Sequence, residues 1–553
     1  MARQHKWVKV MALSSCLMLM LISGPHFVGA VEYPYSDYGY FPETGYAVTG
    51  RFLDYWEDHG GLKQQGYPIS DQIQEVSDID GKSYSVQYFE RAEFESHTEF
   101  FDKDYPNLHP PTTILLSLLG TLRYTKKYPY GAPNQRPNQS QGSIFFPQTG
   151  KRLGGSFLAY WQQYGGLAQQ GYPISDEIQE RSETDGQIYT VQYFERSVME
   201  WHPGNTPPND VLLSLLGTFR YNEKYGEVIQ SLGTPRMIST AVLWEEVAGG
   251  HYIFYLRDDN PDPSPYDAVK ALYGYDLTQN KEFLIKHTAN ELANMATDGQ
   301  YLVWSEYARG ASDQNPQPVY SYDVVTGRAL QIMTAAMSTG AIFSDMSLDG
   351  GILYYGDSTV GHKGLYARNL VTNQEQLISQ EGHEPVASEG AVLCQSGFYG
   401  GALVGSHTLH LTNLESIGSD AVITETSNTF SGYDISGGNV VWSYGDTIAP
   451  MYVYMYNLDN KSTDLLSVIG MEPHINNDKV VWTMGDISPI SRYIPFHGQW
   501  VMSYDLNTRL AAPVTPREDG GESWAVDVID NNTLVYRTGS GLFTRTLGCP
   551  CQP

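Results

Sequence analysis

Four cysteines in 553 residues are too few for a disulfide framework, and a chain of this length does not need one, because it can bury a large core. Cys16 lies in the N-terminal apolar run, which leaves Cys394, Cys549 and Cys551 for the rest of the chain. Cys549-Pro550-Cys551 is either a strained local bridge or a pair of exposed thiols, with no further ligand nearby to make a metal site. Charge is also scarce. Charged residues make up 17% of the chain, with 34 basic against 62 acidic, a formal net charge of −28. Such an acidic surface repels phosphate backbones and anionic lipid heads, which excludes nucleic acid as a partner. Intrinsic disorder is excluded by the same scarcity of charge together with 13% aromatics, 41 of them tyrosines. Beyond the N-terminus, no segment is apolar enough to cross a bilayer, which takes about 20 such residues.

Residues 1–30 read as a secretory signal peptide. Basic Arg3, Lys6 and Lys9 precede an apolar run, and Val28-Gly29-Ala30 offers a cleavage point. Cys16 sits inside that run rather than after it, which argues against a lipid anchor. The expectation is a secreted or extracellular protein, with surface association and cleavage itself left open.

What the chain does have is repetition. Phe41-Pro-Glu-Thr-Gly45 recurs as Phe146-Pro-Gln-Thr-Gly150, and Phe52-Leu-Asp-Tyr-Trp56 as Phe157-Leu-Ala-Tyr-Trp161. Gln64-Gln-Gly-Tyr-Pro-Ile-Ser-Asp71 returns as Gln169-Gln-Gly-Tyr-Pro-Ile-Ser-Asp176, and Val86-Gln-Tyr-Phe-Glu-Arg91 as Val191-Gln-Tyr-Phe-Glu-Arg196. Each unit predicts a small α+β module: a helix through Phe52, Tyr55 and Trp56 ending at Gly60-Gly61, then a hairpin turning at Asp80-Gly81. The next strand should place Tyr88 and Phe89, like Tyr193 and Phe194, on opposite faces, one ring in and one out. The modules span 40–127 and 144–225, joined by a Pro/Asn/Gln-rich stretch, 128–143, that reads as a solvated linker.

From 226 to 547 the period changes. A turn, a short apolar strand, an aromatic or Cys at its end, a loop and a Tyr-Asp-Leu-like landmark recur to residue 547. The strand-end series is Trp244, Trp304, Tyr355, Cys394, Trp442, Trp482 and Tyr536. Units of this length with short antiparallel strands predict a β-propeller. The count is seven blades, with six or eight open. The last unit runs out before a fourth strand, which Glu227-Val-Ile-Gln-Ser231 could supply, closing the ring and removing exposed edges. Residues 548–553 form a tail.

The Asp-Gly-Gln-Tyr-Leu-Val-Trp304, Asp-Gly-Gly-Ile-Leu-Tyr-Tyr355 and Gly-Gly-Asn-Val-Val-Trp442 strands, with their following Tyr-Asp/Asn-Leu, resemble TolB-like propeller repeats. That resemblance implies a platform for a protein or ligand. The N-terminal pair resembles a module of secreted Chloroflexi proteins and is distantly similar to the LGFP repeats of cell-wall proteins. This implies attachment to envelope glycan or peptidoglycan.

Catalytic signatures are missing: there is no G-x-S-x-G elbow, H-E-x-x-H helix, phosphate loop or G-x-G-x-x-G fingerprint. No metal set or cofactor is expected. Asp258, Asp259, Asp262 and Asp267 read as a solvated acidic insertion. Asp276, Asp323, Asn369, Asn413, Asn457 and Asp505 read as turn closers rather than a catalytic ring. Trp244, Trp304, Trp442 and Trp482 read as packing between blades. The candidate ligand-binding residues are Tyr55, Trp56, Phe89, Arg91, Tyr160, Trp161, Phe194, Arg196, Trp201 and His202, because flat rings beside polar groups suit sugar faces. The competing reading makes these aromatics the module cores and Glu90-Arg91 and Glu195-Arg196 internal ion pairs.

The expectation is therefore a mainly β, exported, non-enzymatic surface protein. Its repeats would hold envelope glycan and its propeller a protein or ligand. The alternative is a secreted polysaccharide- or peptide-degrading hydrolase or lyase with its site at the propeller's axial mouth. Raised-pKa acids around the axis would favour the enzyme, and an axial channel plugged by apolar side chains the scaffold.

Overall fold

The computed structural model describes residues 38–547 except 42, 78–79, 98–113, 183–184, 208, 241, 260–269, 309–316, 336–345, 358–362, 381, 397–406, 415–420, 427–428, 446–450, 468–469, 486–498, 516–522 and 531. The signal-peptide segment, Cys549, Cys551, Asp262 and Asp267 lie outside the described residues. No described helix is long and apolar enough to cross a membrane. The fold is mainly β, with the two repeats preceding a seven-bladed propeller.

Each repeat opens with a two-stranded ribbon, Tyr38–Phe41 with Tyr46–Thr49 and Ile144–Phe146 with Lys151–Leu153. In the first repeat, α1 (Gly50–Asp58) and α2 (Gly61–Gln64) follow. Phe52, Leu53 and Tyr55 fall on one face of α1 and are buried. The helix ends where Gly60 takes a left-handed φ of 90°, a conformation that costs glycine little. Four antiparallel strands come next: Ile73–Val76, Ser83–Tyr88, Glu93–Ser96 and Ile114–Leu116. Then comes α3 (Leu119–Lys127). The second repeat repeats the plan with α4 (Gly155–Gln163), α5 (Gly166–Gln170), strands Ile178–Arg181, Ile188–Tyr193, Val198–Trp201 and Val211–Leu213, and α6 (Leu216–Ser231).

The repeats exchange their last helices. Leu119 and Tyr124 of α3 pack with Ile178, Val191, Tyr193 and Val198 of the second repeat's sheet. Conversely, Tyr221 and Tyr225 of α6 pack on Tyr88 of the first, with ring centroids 5.4 and 6.1 Å apart. The polar contacts are equally reciprocal. Glu180 accepts from Lys127, Tyr128 and Tyr193, while Glu75 accepts from Lys224, Tyr225 and Tyr88. The expected boundary after 225 falls inside α6, while that after 127 coincides with the end of α3, and each repeat's sheet is covered by the other repeat's helix. The exchange also explains why Tyr88 and Phe89 are both fully buried where one was expected to face solvent. Phe89 points to the core beneath α1, and the opposite face is roofed by α6.

The stretch 128–143 is likewise more than a solvated linker. Ala132 is buried in the second repeat's core, and Gln135 Oε1 accepts from the Asp176 amide (3.0 Å) and from Lys151 (2.7 Å).

Seven four-stranded antiparallel blades follow. Their innermost strands are Val242–Gly249, Glu291–Thr297, Met346–Asp349, His383–Ser388, Thr429–Ser436, Met471–Asn476 and Ser523–Ile529. Each touches the next, and the last touches the first, so the ring is closed. The second strands read as continuous apolar runs because blades stack on both of their faces. Val440, Val441 and Trp442, for example, are all buried. Trp304, Trp442 and Trp482 pack between successive blades. Trp244 lies on the innermost strand of blade 1, so Tyr255, on that blade's second strand, takes the place given to it in the strand-end series. The Trp244 side chain lies outside the described residues.

Blade 7 is closed by the N-terminal side of the propeller, as expected, but by Arg236–Ser239. Residues 227–231 belong to α6, whose length carries Tyr221, Lys224 and Tyr225 to the first repeat. Gly233 and Pro235 then break the helix before the closing strand begins.

The first repeat is joined to the propeller edge. Ile73 pairs with Ser467 of the outermost strand of blade 5, extending that blade into one eight-stranded sheet. Tyr84, Val86, Tyr88 and Tyr225 share a core with Val453, Leu466, Trp482 and Trp500 of blades 5 and 6.

Candidate functional site

The proposed aromatic contact residues of the repeats are mostly core. Tyr55, Phe89, Tyr160 and Phe194 are at most 8% exposed. Trp56 and Trp161 are half-buried, and their indole N–H groups donate to the carbonyls of Gly66 (2.9 Å) and Gly171 (3.0 Å). Phe41 and Phe146 meet them edge-on at 5.0 and 5.6 Å. Arg91 and Arg196 pair with Glu90 (3.5 Å) and Glu195 (3.9 Å) and reach the Leu62 and Leu167 carbonyls. These contacts brace loops, as expected of a module this small, which needs its rings for its own core. His202 lies against the Tyr189 ring at 3.8 Å, and Trp201 is the exposed member of the set, at 39%.

The glutamines duplicated in both repeats have a different task. Gln65 Nε2 donates to Gln169 Oε1 (2.9 Å), and Gln170 Nε2 donates to Gln64 Oε1 (2.8 Å). Gln64 and Gln169 also donate to the hydroxyls of Tyr160 (2.5 Å) and Tyr55 (2.7 Å). A buried polar network in which each member is paired specifies how the two halves meet.

The Asp/Asn series closes turns as expected. Oδ1 of Asp276, Asp323, Asn369, Asn457 and Asp505 each accepts from the two amides two and three residues on. The Asn413 side chain lies outside the described residues. In the acidic insertion, Asp259 is held by Arg257 (2.8 Å) and Tyr273 (2.6 Å), and despite its burial these bonds keep its carboxyl below the usual range.

The propeller axis is where titratable groups gather. Asp434, His474 and Asp527 come from the innermost strands of blades 5, 6 and 7, and one ligand-type atom from each lies within 4.8 Å of the others. They occupy one register position, opposite Val441, Val481 and Val535. The same position in blades 2, 3 and 4 holds Ala296, Ser347 and Val386. Asp434 accepts from the Ile435 amide (2.8 Å) and, across the blade boundary, from the Ile475 amide (2.9 Å). Asp527 accepts from the Val528 amide (2.7 Å).

Burial pushes the Asp434 carboxyl up to about 7. Burial, and then the neighbouring Asp434 charge, push Asp527 up as well. Burial pushes the His474 imidazole down to about 4. Nearby on the ring, burial raises Glu246 to about 7 although Arg537 lies 3.1 Å away, and Glu472 is raised by burial against the opposing pull of the same Arg537. The sequence reading, which entered no metal or catalytic residue, missed this group. Its signal was spacing: the three lie 40 and 53 residues apart, close to the 40 and 54 separating Trp442, Trp482 and Tyr536.

Chemically, two carboxylates and an imidazole could hold a divalent ion or share a proton. Elsewhere, Ser396 Oγ lies 2.6 Å from His410 Nε2, but His410 Nδ1 is buried without a partner among the described residues, so that pair has no orienting acid.

No protein-family description and no curated protein matches the chain. Solved structures do resemble it. The β-propeller domain of the Trilobed protease from Pyrococcus furiosus is 10% identical with a TM-score of 0.40, over 57% of this chain and all of that one (100%). TolB from Acinetobacter baumannii is 12% identical with a TM-score of 0.34, over 62% of this chain and 80% of that one. A prolyl endopeptidase structure is 14% identical with a TM-score of 0.41, over 68% of this chain and 57% of that one. The chain is a mainly β protein whose propeller is similar to these.

Proposed function

We propose that this chain is an exported, non-enzymatic binding protein that takes a ligand or protein partner at the propeller's axial mouth, with the paired repeats as its attachment to envelope glycan. The observation that carries the binding reading is the convergence of Asp434, His474 and Asp527 from three successive innermost strands. Both Asp434 oxygens accept backbone amides. Among the described residues no serine, threonine or cysteine is hydrogen-bonded to His474 as a nucleophile would be. Attachment to glycan would fall to the exposed Trp201 rather than to the buried rings. Co-sedimentation of the whole chain with insoluble cell-wall glycan tests this. Retention that Trp201→Ala abolishes supports attachment, and failure to sediment removes it.

A second reading, a hydrolase or lyase at the same mouth, is favoured by the upward-shifted carboxyls of Asp434 and Asp527, the sign expected of an enzyme, and by their closeness, since glycoside hydrolysis works with two facing carboxylates. Product release from a polysaccharide or peptide panel, lost in Asp527→Asn, would establish it in place of the first.

A further inference from the structure

We propose that Asp434, His474 and Asp527 bind one divalent transition-metal ion, with coordination positions left open toward the axial mouth for an exogenous donor. The proposal rests on reading that mouth as the binding face and names what sits there.

Geometry comes first. Donors held at about 2.0–2.2 Å from one ion lie roughly 3–3.5 Å from one another. A set already within 4.8 Å, on three strands fixed by the ring, needs a shift of about an ångström, which side-chain rotation supplies. The second observation is His474 itself. Among the described residues its imidazole has no hydrogen bond, ion pair or ring contact, and it points into the same small volume as both carboxylates. All three are partly buried, and drawing two carboxylates and an imidazole out of bulk water into one small volume costs free energy, most of all for the pair of like charges. No lysine or arginine bonds either carboxylate among the described residues, since Arg537 is engaged by Glu246. A cation supplies the missing partner to all three.

The donor set also selects the metal. Calcium and magnesium take oxygen ligands, whereas an imidazole with two carboxylates suits zinc, manganese or iron. Three protein ligands leave a fourth position for water or a bound molecule, the arrangement of open zinc sites. The backbone amides of Ile435 and Ile475 hold Asp434 as outer-shell donors hold metal ligands elsewhere.

The test uses the full-length chain stripped with chelator and titrated calorimetrically with Zn²⁺ alone, then with Mn²⁺ and Ca²⁺. One ion per chain is expected, with Zn²⁺ preferred over Ca²⁺. His474→Gln and Asp527→Asn should weaken binding by more than the roughly 10–100-fold cost of losing an outer-shell partner. His251→Gln, on the turn after the innermost strand of blade 1, should leave it unchanged. Melting of the metal-free variants separates loss of site from loss of fold, and Asp527→Asn, which removes one of two repelling buried acids, should melt no lower than the parent. Absence of Zn²⁺ binding, binding untouched by His474→Gln and Asp527→Asn together, or a preference for Ca²⁺ would overturn the proposal. Because the probes are metal ions alone, their binding is scored independently of any glycan or protein partner: failure of the glycan assay with Zn²⁺ bound removes the attachment reading and leaves the site.

Discussion

A Cβ placed on Gly120 of the first repeat would lie 1.9 Å from the carbonyl oxygen of Phe194 in the second. The relationship is reciprocal, since one on Gly217 would lie 1.8 Å from the Phe89 carbonyl. Beside each glycine a backbone bond crosses between repeats, from the Thr121 amide to Glu195 (3.0 Å) and from the Thr218 amide to Glu90 (3.1 Å). The helix exchange is anchored where these two helices begin.

Gly120→Ala and Gly217→Ala should therefore each destabilise the chain by about 1–3 kcal/mol or more, because the obstacle is backbone that cannot rotate away. Denaturant midpoints measure this. Gly204→Ala, which meets nothing within 4 Å, is the neutral comparison.

Stability should fall as pH rises through the range set by Glu93. Burial, followed by the charge of Glu75, pushes this carboxyl up from 4.5 to about 8 in the folded chain. The folded state thus holds a proton that the unfolded state has released, so stability declines with pH between those values. Glu93→Gln should flatten that decline, gaining most relative to the parent near pH 8. Melting temperatures at pH 5 and pH 8 decide it. An unchanged slope would show that Glu93 is not the titrating group.

Blades are tied to one another through their turns. Asp298 accepts the Gln300 (2.9 Å) and Tyr301 (2.7 Å) amides of its own turn and, through Oδ2, the Gly351 amide of the next blade (2.7 Å). Asp349 does the same for Gly390 (2.7 Å). Asp298→Ala should cost about 1–3 kcal/mol, more than Asp323→Ala, whose carboxylate bonds its own turn. Equal losses would argue against the inter-blade bond.

Trp56→Ala should cost about 3 kcal/mol, since it removes a ring contact and an indole hydrogen bond. Trp201→Ala should cost clearly less than Trp56→Ala, since Trp201 is 39% exposed and leaves a smaller void behind. This contrast in melting separates the tryptophans that build a module from the more exposed one proposed to meet glycan.

Much of the fold is legible in the residues. Duplicated Gln-Gln-Gly-Tyr-Pro-Ile-Ser-Asp blocks declare two modules, and runs such as Val440-Val441-Trp442 declare strands buried on both faces. Asp276 and its relatives read as turn closers because an Asx side chain bonds amides two and three residues on, a purely local matter. The aromatic contact set was harder. Burial of Tyr55 or Phe194 depends on which surfaces the chain later brings over them, and periodicity along one strand carries no information about that.

What the sequence by itself determined is what short range and repetition determine: the exported-type leader as an expectation, the α+β repeats, the seven-blade period and the turns. Tertiary structure decided the rest. It chose Arg236–Ser239 rather than 227–231 as the closing strand, because 227–231 continue α6, which ends before Gly233 and Pro235. It also brought Asp434, His474 and Asp527 together, since residues 40 and 53 apart in the chain become neighbours when successive innermost strands gather round one axis. Local propensity fixes the strands, and closure of the ring fixes which side chains meet.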